Sequence, residues 1–146
     1  MSAGREILLV DDNPGDVDLV GNALAQSARH SRMHAVNDGE EAMAFLHRAG
    51  KYRDTVRPDL MILDLNLPRK DGRAVLADIK TDPELRQIPV VIFSTSRSHR
   101  DIARSYELGA NCYVSKPCGL AEFFAAVQAV ERFWFDCVCL PNLENL

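Results

Sequence analysis

No apolar run in the 146 residues approaches the roughly 18 that a membrane-spanning helix needs. The opening Met1-Ser2-Ala3-Gly4-Arg5-Glu6 lacks the apolar core of a secretory signal and passes straight into a strand-like run. Basic charge is not in excess. Lys and Arg number 17 against 21 Asp and Glu, a net charge of -4, which argues against a surface that coats nucleic acid. Cys112, Cys118, Cys137 and Cys139 contain no C-x-x-C pair and no matching His spacing, so they read as reduced thiols of a cytoplasmic protein rather than a zinc site. His30, His34, His47 and His99 likewise show no ligand spacing. Repeats, low-complexity tracts and linkers are also missing. With 47% hydrophobic and 26% charged residues, the composition is that of an ordinary globular domain, and the length can enclose one core without staples.

Five short apolar runs are separated by segments of helical period. They are Glu6-Ile7-Leu8-Leu9-Val10, the weaker Met33-His34-Ala35-Val36, Leu60-Met61-Ile62-Leu63, Val90-Val91-Ile92-Phe93 and Asn111-Cys112-Tyr113-Val114. The first, third and fourth are apolar at successive positions, the pattern of parallel strands buried on both faces. Between them, Asn13-Pro14 reads as an N-cap with Pro at the first helical position, and Asp38-Gly39-Glu40-Glu41 as a capping box. A third helix carries Val75, Leu76 and Ile79 and stops near Asp82-Pro83, a fourth ends at Gly109, and a fifth runs from about Leu120 to Trp134. Strict alternation of strand and helix predicts right-handed βαβ units and a doubly wound α/β sheet. Residues 50–57 form a long loop before the third strand.

In such a sheet, function gathers outside the carboxyl ends of the strands. Strand one ends in Asp11-Asp12, strand three in Asp64, strand four in Ser94-Thr95, and strand five runs into Lys116-Pro117. Three carboxylates held together repel unless a cation joins them, and an all-oxygen donor set suits a hard ion such as Mg²⁺. A carboxylate can also act as a nucleophile towards phosphorus, with the metal and an ammonium neutralising charge on the transferred group. Each residue is unremarkable singly: an acidic pair after a strand is usually a solvated cap, and a lone lysine a surface charge. Their joint appearance at four strand ends is what points to chemistry.

These residues resemble the receiver domain of two-component response regulators. The carrying motifs are Leu8-Leu9-Val10-Asp11-Asp12-Asn13, Asp59 to Pro68 followed by Asp71-Gly72, Pro89 to Ser94, and Tyr113-Val114-Ser115-Lys116-Pro117, and the likeness spans about residues 5–132. The resemblance implies a flavodoxin-like five-stranded sheet of order 2-1-3-4-5. It also implies Asp64 as phosphoacceptor for a sensor histidine kinase in a phosphorelay, with Mg²⁺ or Mn²⁺ held by Asp11, Asp12, Asp64 and the backbone carbonyl of Asn66. Ser94 would be the switch hydroxyl, Lys116 the phosphoryl-binding amine, Tyr113 the aromatic that follows the hydroxyl, and the Lys116-Pro117 bond would be cis. Such a protein is a signalling switch rather than an enzyme, assisting only its own phosphoryl transfer and dephosphorylation. Thr95, where receivers often carry Ala or Gly, is expected to alter dephosphorylation.

Asp12-Asn13-Pro14-Gly15-Asp16-Val17, the long loop, and Phe133-Trp134-Phe135 with Leu140-Pro141 further resemble phytochrome-associated single-domain regulators, implying a bacteriophytochrome-type kinase partner and a homodimer. No output domain appears within the 146 residues. The fifth helix is apolar almost all round, so residues 133–146 are expected to form a dimerisation extension, with Phe123, Val127, Phe133, Trp134 and Phe135 at the contact. Two other classes compete. A phosphohydrolase of the haloacid-dehalogenase type would need D-x-D after strand one, which the adjacent Asp11-Asp12 does not supply. A phosphorylation-independent pseudo-receiver would be an interaction module, against which the full set of charged residues speaks.

Overall fold

The computed structural model describes residues 5–141. Five parallel strands, β1 (Glu6–Val10), β2 (Arg32–Val36), β3 (Leu60–Leu63), β4 (Val90–Ser94) and β5 (Cys112–Ser115), form one sheet of order β2-β1-β3-β4-β5. Five helices alternate with them: α1 (Pro14–Ala25), α2 (Gly39–Leu46), α3 (Gly72–Thr81), α4 (His99–Glu107) and α5 (Leu120–Arg132). The doubly wound, flavodoxin-like architecture expected from the sequence is the one observed. β2 gave the weak sequence signal because it is an edge strand, with only Val36 buried, whereas β3 and β4 are buried throughout.

Alternate strand residues feed two cores. Leu8, Val10, Met61, Leu63, Val90 and Ile92 pack with Phe45 and Leu46 of α2 and Val75, Leu76 and Ile79 of α3. Ile7, Leu9, Leu60, Ile62, Val91 and Phe93 face the other way, onto Val20, Ala23 and Leu24 of α1 and Phe123 and Val127 of α5. The helix starts follow local chemistry: Asn13, Asp38, Asp71 and Ser98 each cap a helix by accepting a backbone N–H, and Gly109 follows α4 at φ 106°. Glu41 does not complete a capping box, because its carboxylate accepts from the Tyr52 hydroxyl instead. Tyr52 lies in a 3-10 turn (Gly50–Tyr52) of the long loop, and its ring packs 5.3 Å from that of Phe45. No described helix is long and apolar enough to cross a membrane.

Two expectations are corrected. Phe123 and Val127 are 4% and 2% exposed and pack on their own sheet, so they are core residues and unavailable to a partner. A helix apolar almost all round hides from the sequence which face the sheet takes. The Lys116–Pro117 peptide is trans, as is every other bond among the described residues, the ordinary isomer even before proline.

Beyond α5 a π-helical turn (Phe133–Cys137) brings the chain back onto the domain. Trp134 and Phe135 are half-buried against the α1/α5 core, with the Arg5 guanidinium 5.8 Å from the Phe135 ring centre. Arg29 forms a two-pronged pair with Asp136, and Ser31 donates to the buried Glu131 carboxylate at 2.6 Å. Phe133 alone of the three aromatics is half exposed, at 50%. The last five residues of the expected extension, 142–146, lie outside the described residues. Of the cysteines, Cys118, Cys137 and Cys139 are exposed, while burial pushes the Cys112 thiol above its ordinary pKa.

Gly72 opens α3 directly against the β3 exit. A Cβ there would stand 2.2 Å from the Asp64 carbonyl oxygen and 2.7 Å from the Leu65 Cα, both rigid backbone. Gly72→Ala is therefore expected to destabilise the fold by about 1–3 kcal/mol in a denaturant titration, as overpacking generally does.

Candidate functional site

Register brings the charged residues together. Val10 pairs with Leu63, so the next residues, Asp11 and Asp64, emerge side by side from neighbouring strands. Backbone bonds from Asp64 N to Val10 O (3.0 Å) and from Asp11 N to Val36 O (3.1 Å) hold both in place. Ser94 pairs with Ser115, and Lys116 N donates to Ser94 O at 2.8 Å, which launches the lysine side chain from the adjacent rim position. Its long stem then reaches back past β4 towards β3 and β1.

Lys116 is 5% exposed, and its ammonium donates to Asp11 Oδ2 at 2.8 Å, Asp16 Oδ2 at 2.8 Å and Asp64 Oδ2 at 3.1 Å. Burial works against that charge, but the carboxylates outweigh it and hold the Lys116 pKa above the ordinary lysine value. Asp11, 1% exposed, behaves oppositely: burial raises its pKa, only partly offset by Lys116 and by the Asn13 N–H at 2.9 Å. Asp12 is exposed, Asp64 is 9% exposed, and Ser94 is fully buried with its Oγ accepting from Ser96 N at 3.3 Å.

Asp11, Asp12 and Asp64 each offer an oxygen within 4.8 Å of the others. One ammonium cannot balance these three and Asp16, so the cluster carries an excess of negative charge. The donors are all oxygen, one of them exposed, which fits a hard divalent cation that keeps part of its water shell. Clefts open on both sides, of about 530 Å³ beside Asp11, Asp12, Lys51 and Tyr52, and about 200 Å³ beside Asp16, Thr95, Lys116 and Pro117.

The predicted residues thus fall as follows. Asp11, Asp12, Asp64, Ser94 and Lys116 converge on one rim. Thr95 is exposed at the smaller cleft, and Asn66 is exposed in the loop after β3. Tyr113 is half-buried with its hydroxyl donating to the Ser96 carbonyl at 2.8 Å. Two groups escaped the sequence reading. Asp16, in the first turn of α1, bonds Lys116, and its available signal was an acidic residue one helical turn after the strand end. Ser96 and Asp101, bonded at 2.6 Å, belong to the β4–α4 loop and α4, and Asp101 follows the Ser98 cap by three residues.

Comparison with known proteins follows the same lines. The family described as response regulator receiver domain matches residues 7–128. The response regulator Rcp1 of Synechocystis sp. is 47% identical over 137 residues, covering 94% of this chain and 93% of that protein. The crystal structure of its Mn²⁺-bound form superposes with a TM-score of 0.89 over 94% of this chain and 99% of that one. That of the phosphorylated cyanobacterial phytochrome response regulator RcpA is 48% identical, with a TM-score of 0.93 over 96% of this chain and 100% of that one. The bacteriophytochrome response regulator RtBRR shares 36% identity at a TM-score of 0.75, over 96% of this chain and 86% of that one. With its parallel sheet of order 2-1-3-4-5 and the divalent-metal cluster of Asp11, Asp12 and Asp64 beside Lys116, this chain belongs to the response regulator receiver-domain family.

Proposed function

We propose that Asp64 accepts a phosphoryl group from the phosphohistidine of a sensor kinase and that the chain then signals through changed surfaces. The observation that carries this is the Lys116 ammonium shared by Asp11 and Asp64, in a buried rim that also presents the Ser94 hydroxyl. An Asp64 oxygen attacks phosphorus, the new O–P bond forms as the P–N bond breaks, and the departing imidazole keeps the electron pair and takes up a proton. Asp11, Asp12, Asp64 and the Asn66 carbonyl would hold Mg²⁺ or Mn²⁺. Bound there, the ion supplies the positive charge that lets an anionic phosphoryl group approach an anionic carboxylate. Lys116, already 3.1 Å from Asp64, neutralises a second phosphoryl oxygen. Ser94 donates its hydroxyl to another, and Tyr113 follows the loop that carries Ser94.

The partner is a kinase of the phytochrome type, by likeness to RcpA and RtBRR, acting in the cytoplasm. Water attack on phosphorus, breaking the acyl O–P bond, resets the switch without an external enzyme. Residues 5–132 form the receiver, and residues 133–146 are its dimerisation extension, of which Phe133 is presented outward. The outward face of α5 supports a homodimer: Ala121, Ala125 and Ala129 are exposed at four-residue spacing, flanked by Leu120 at 60% and Phe133 at 50% exposure. Trp134 and Phe135 brace that face from beneath rather than forming it.

Intact-protein mass after incubation with acetyl phosphate is expected to show one added phosphoryl group with Mg²⁺, none without it, and none in Asp64→Asn; no gain in the wild-type protein would favour the pseudo-receiver. Thr95→Ala is expected to hydrolyse its acyl phosphate roughly threefold faster, the loss of about 0.7 kcal/mol of barrier, because the smaller side chain widens the approach to Lys116. Equal rates would remove Thr95 from the mechanism. In sedimentation velocity the wild-type protein should run as a dimer and Phe133→Asp as a monomer, whereas an unchanged dimer would place the contact elsewhere.

A further inference from the structure

We infer that Arg73 and Asp101 form a latch that fixes the resting position of the β4–α4 loop, making both of them positioning residues for the Ser94 hydroxyl. The inference rests on the phosphoacceptor role proposed for Asp64. It starts from Ser96, where four bonds meet. Ser96 N donates to Ser94 Oγ at 3.3 Å, and its carbonyl accepts from the Tyr113 hydroxyl at 2.8 Å. Its own hydroxyl donates to Asp101 Oδ2 at 2.6 Å and accepts from Ser98 N at 3.3 Å. The switch hydroxyl and the aromatic expected to follow it are thus tied to one residue, and that residue is tied to Asp101.

Asp101 in turn is held from another helix. Its Oδ1 accepts from Arg73 Nη2 at 2.8 Å, while Arg73 Nη1 lies 3.2 and 3.3 Å from the two oxygens of Asp71. Asp71 caps α3 by accepting from Arg73 N at 2.9 Å, so the guanidinium is fixed at both ends. That cap adjoins Gly72, whose N donates to the carbonyl of Leu65, the residue after Asp64, at 2.9 Å. A continuous set of polar contacts therefore runs from the segment bearing the phosphoacceptor, through Arg73, Asp101 and Ser96, to Ser94 and Tyr113. Ser96 and Arg73 hold the Asp101 carboxyl below its ordinary pKa, which keeps it charged for both partners.

The helix these bonds reach is otherwise held mainly along β5, where the Tyr106 hydroxyl accepts from Tyr113 N at 3.1 Å. Within α4 only Ser105 is fully buried, and its hydroxyl donates to the Asp101 carbonyl at 2.8 Å. Apolar packing therefore constrains the first turn of α4 and its preceding loop only weakly, and the ionic contact to α3 adds a charged tie there. Drawing Ser94 towards a phosphorylated Asp64 drags or breaks the bond to Ser96 and strains the bonds beyond it. By linkage, whatever weakens Arg73–Asp101 must favour the phosphoryl-bound arrangement, and phosphorylation must weaken Arg73–Asp101 by the same factor.

The test is the affinity of trifluoroberyllate, a phosphoryl mimic that binds carboxylates, titrated with saturating Mg²⁺ and read from its bound ¹⁹F resonance. Thermal unfolding is recorded alongside. Arg73→Ala and Asp101→Asn are each expected to bind about fivefold tighter than wild type, the low end of inter-site coupling, because the pair is partly solvated. The double variant should gain no more than either single one, and Arg73→Lys, which keeps the charge but not the fork, should fall between. A purely structural role would lower the melting temperature and weaken binding. Affinity that is unchanged or weaker in folded variants overturns the latch. If Arg73→Ala does not fold, Asp101→Asn decides alone. A wild-type protein that binds no trifluoroberyllate and gains no phosphoryl group refutes the phosphoacceptor role itself, and the latch falls with it.

Discussion

One buried ammonium holds the rim of this molecule together. Lys116 donates to carboxylates at the ends of β1 and β3 and in α1 at once, and without it Asp11, Asp16 and Asp64 would face each other with no cation between them. Much of the architecture serves that meeting. The order β2-β1-β3-β4-β5 puts β3 and its acidic residue beside β1, and leaves β5 two strands from β3, a span a lysine side chain can cross and a shorter one cannot. The register that pairs Val10 with Leu63 levels the two carboxylates. Ala, Gly or Gln in place of Lys116 would leave buried like charges unpaired, so the cost of losing it exceeds the value of any one of its bonds.

The same contact explains how a site so acidic stays poised. The ammonium offsets one of four negative charges, which leaves the pocket short of positive charge. A divalent cation would supply that missing positive charge and so admit the further negative charge of a phosphoryl group. Burial pushes the Asp11 carboxyl upward, the direction expected for a carboxylate withdrawn from water beside other carboxylates.

Much of this was legible in the sequence because it depends on short-range rules. Runs such as Leu60-Met61-Ile62-Leu63 announce strands covered on both faces, and Asn13-Pro14 and Asp38-Gly39 mark helix starts within a residue. In a parallel sheet the strand ends then fall on one rim, so Asp11, Asp12, Asp64, Ser94 and Lys116 could be gathered from their positions alone. What stayed hidden depends on how elements are rotated against one another. Nothing in the string ties Asp16 to Lys116 or Arg73 to Asp101, since each pair joins separate elements through the phase of a helix. α5 misled for the same reason: with apolar residues on every side, the pattern could not say that Phe123 and Val127 face inward while the alanines and Phe133 face out.

The return of the chain after α5 has an architectural consequence. Arg5, at the entry to β1, meets Phe135, and Arg29, shortly before β2, meets Asp136, so the start of the described chain and the turn after α5 gather at the amino rim of the sheet. Asp64 lies at the opposite rim, one strand length or roughly 15 Å away. A reporter or a neighbouring module joined at Arg5 would hang from the floor of the molecule and leave the mouth clear. In that sense the domain is a socket, wired at its base and open at the top.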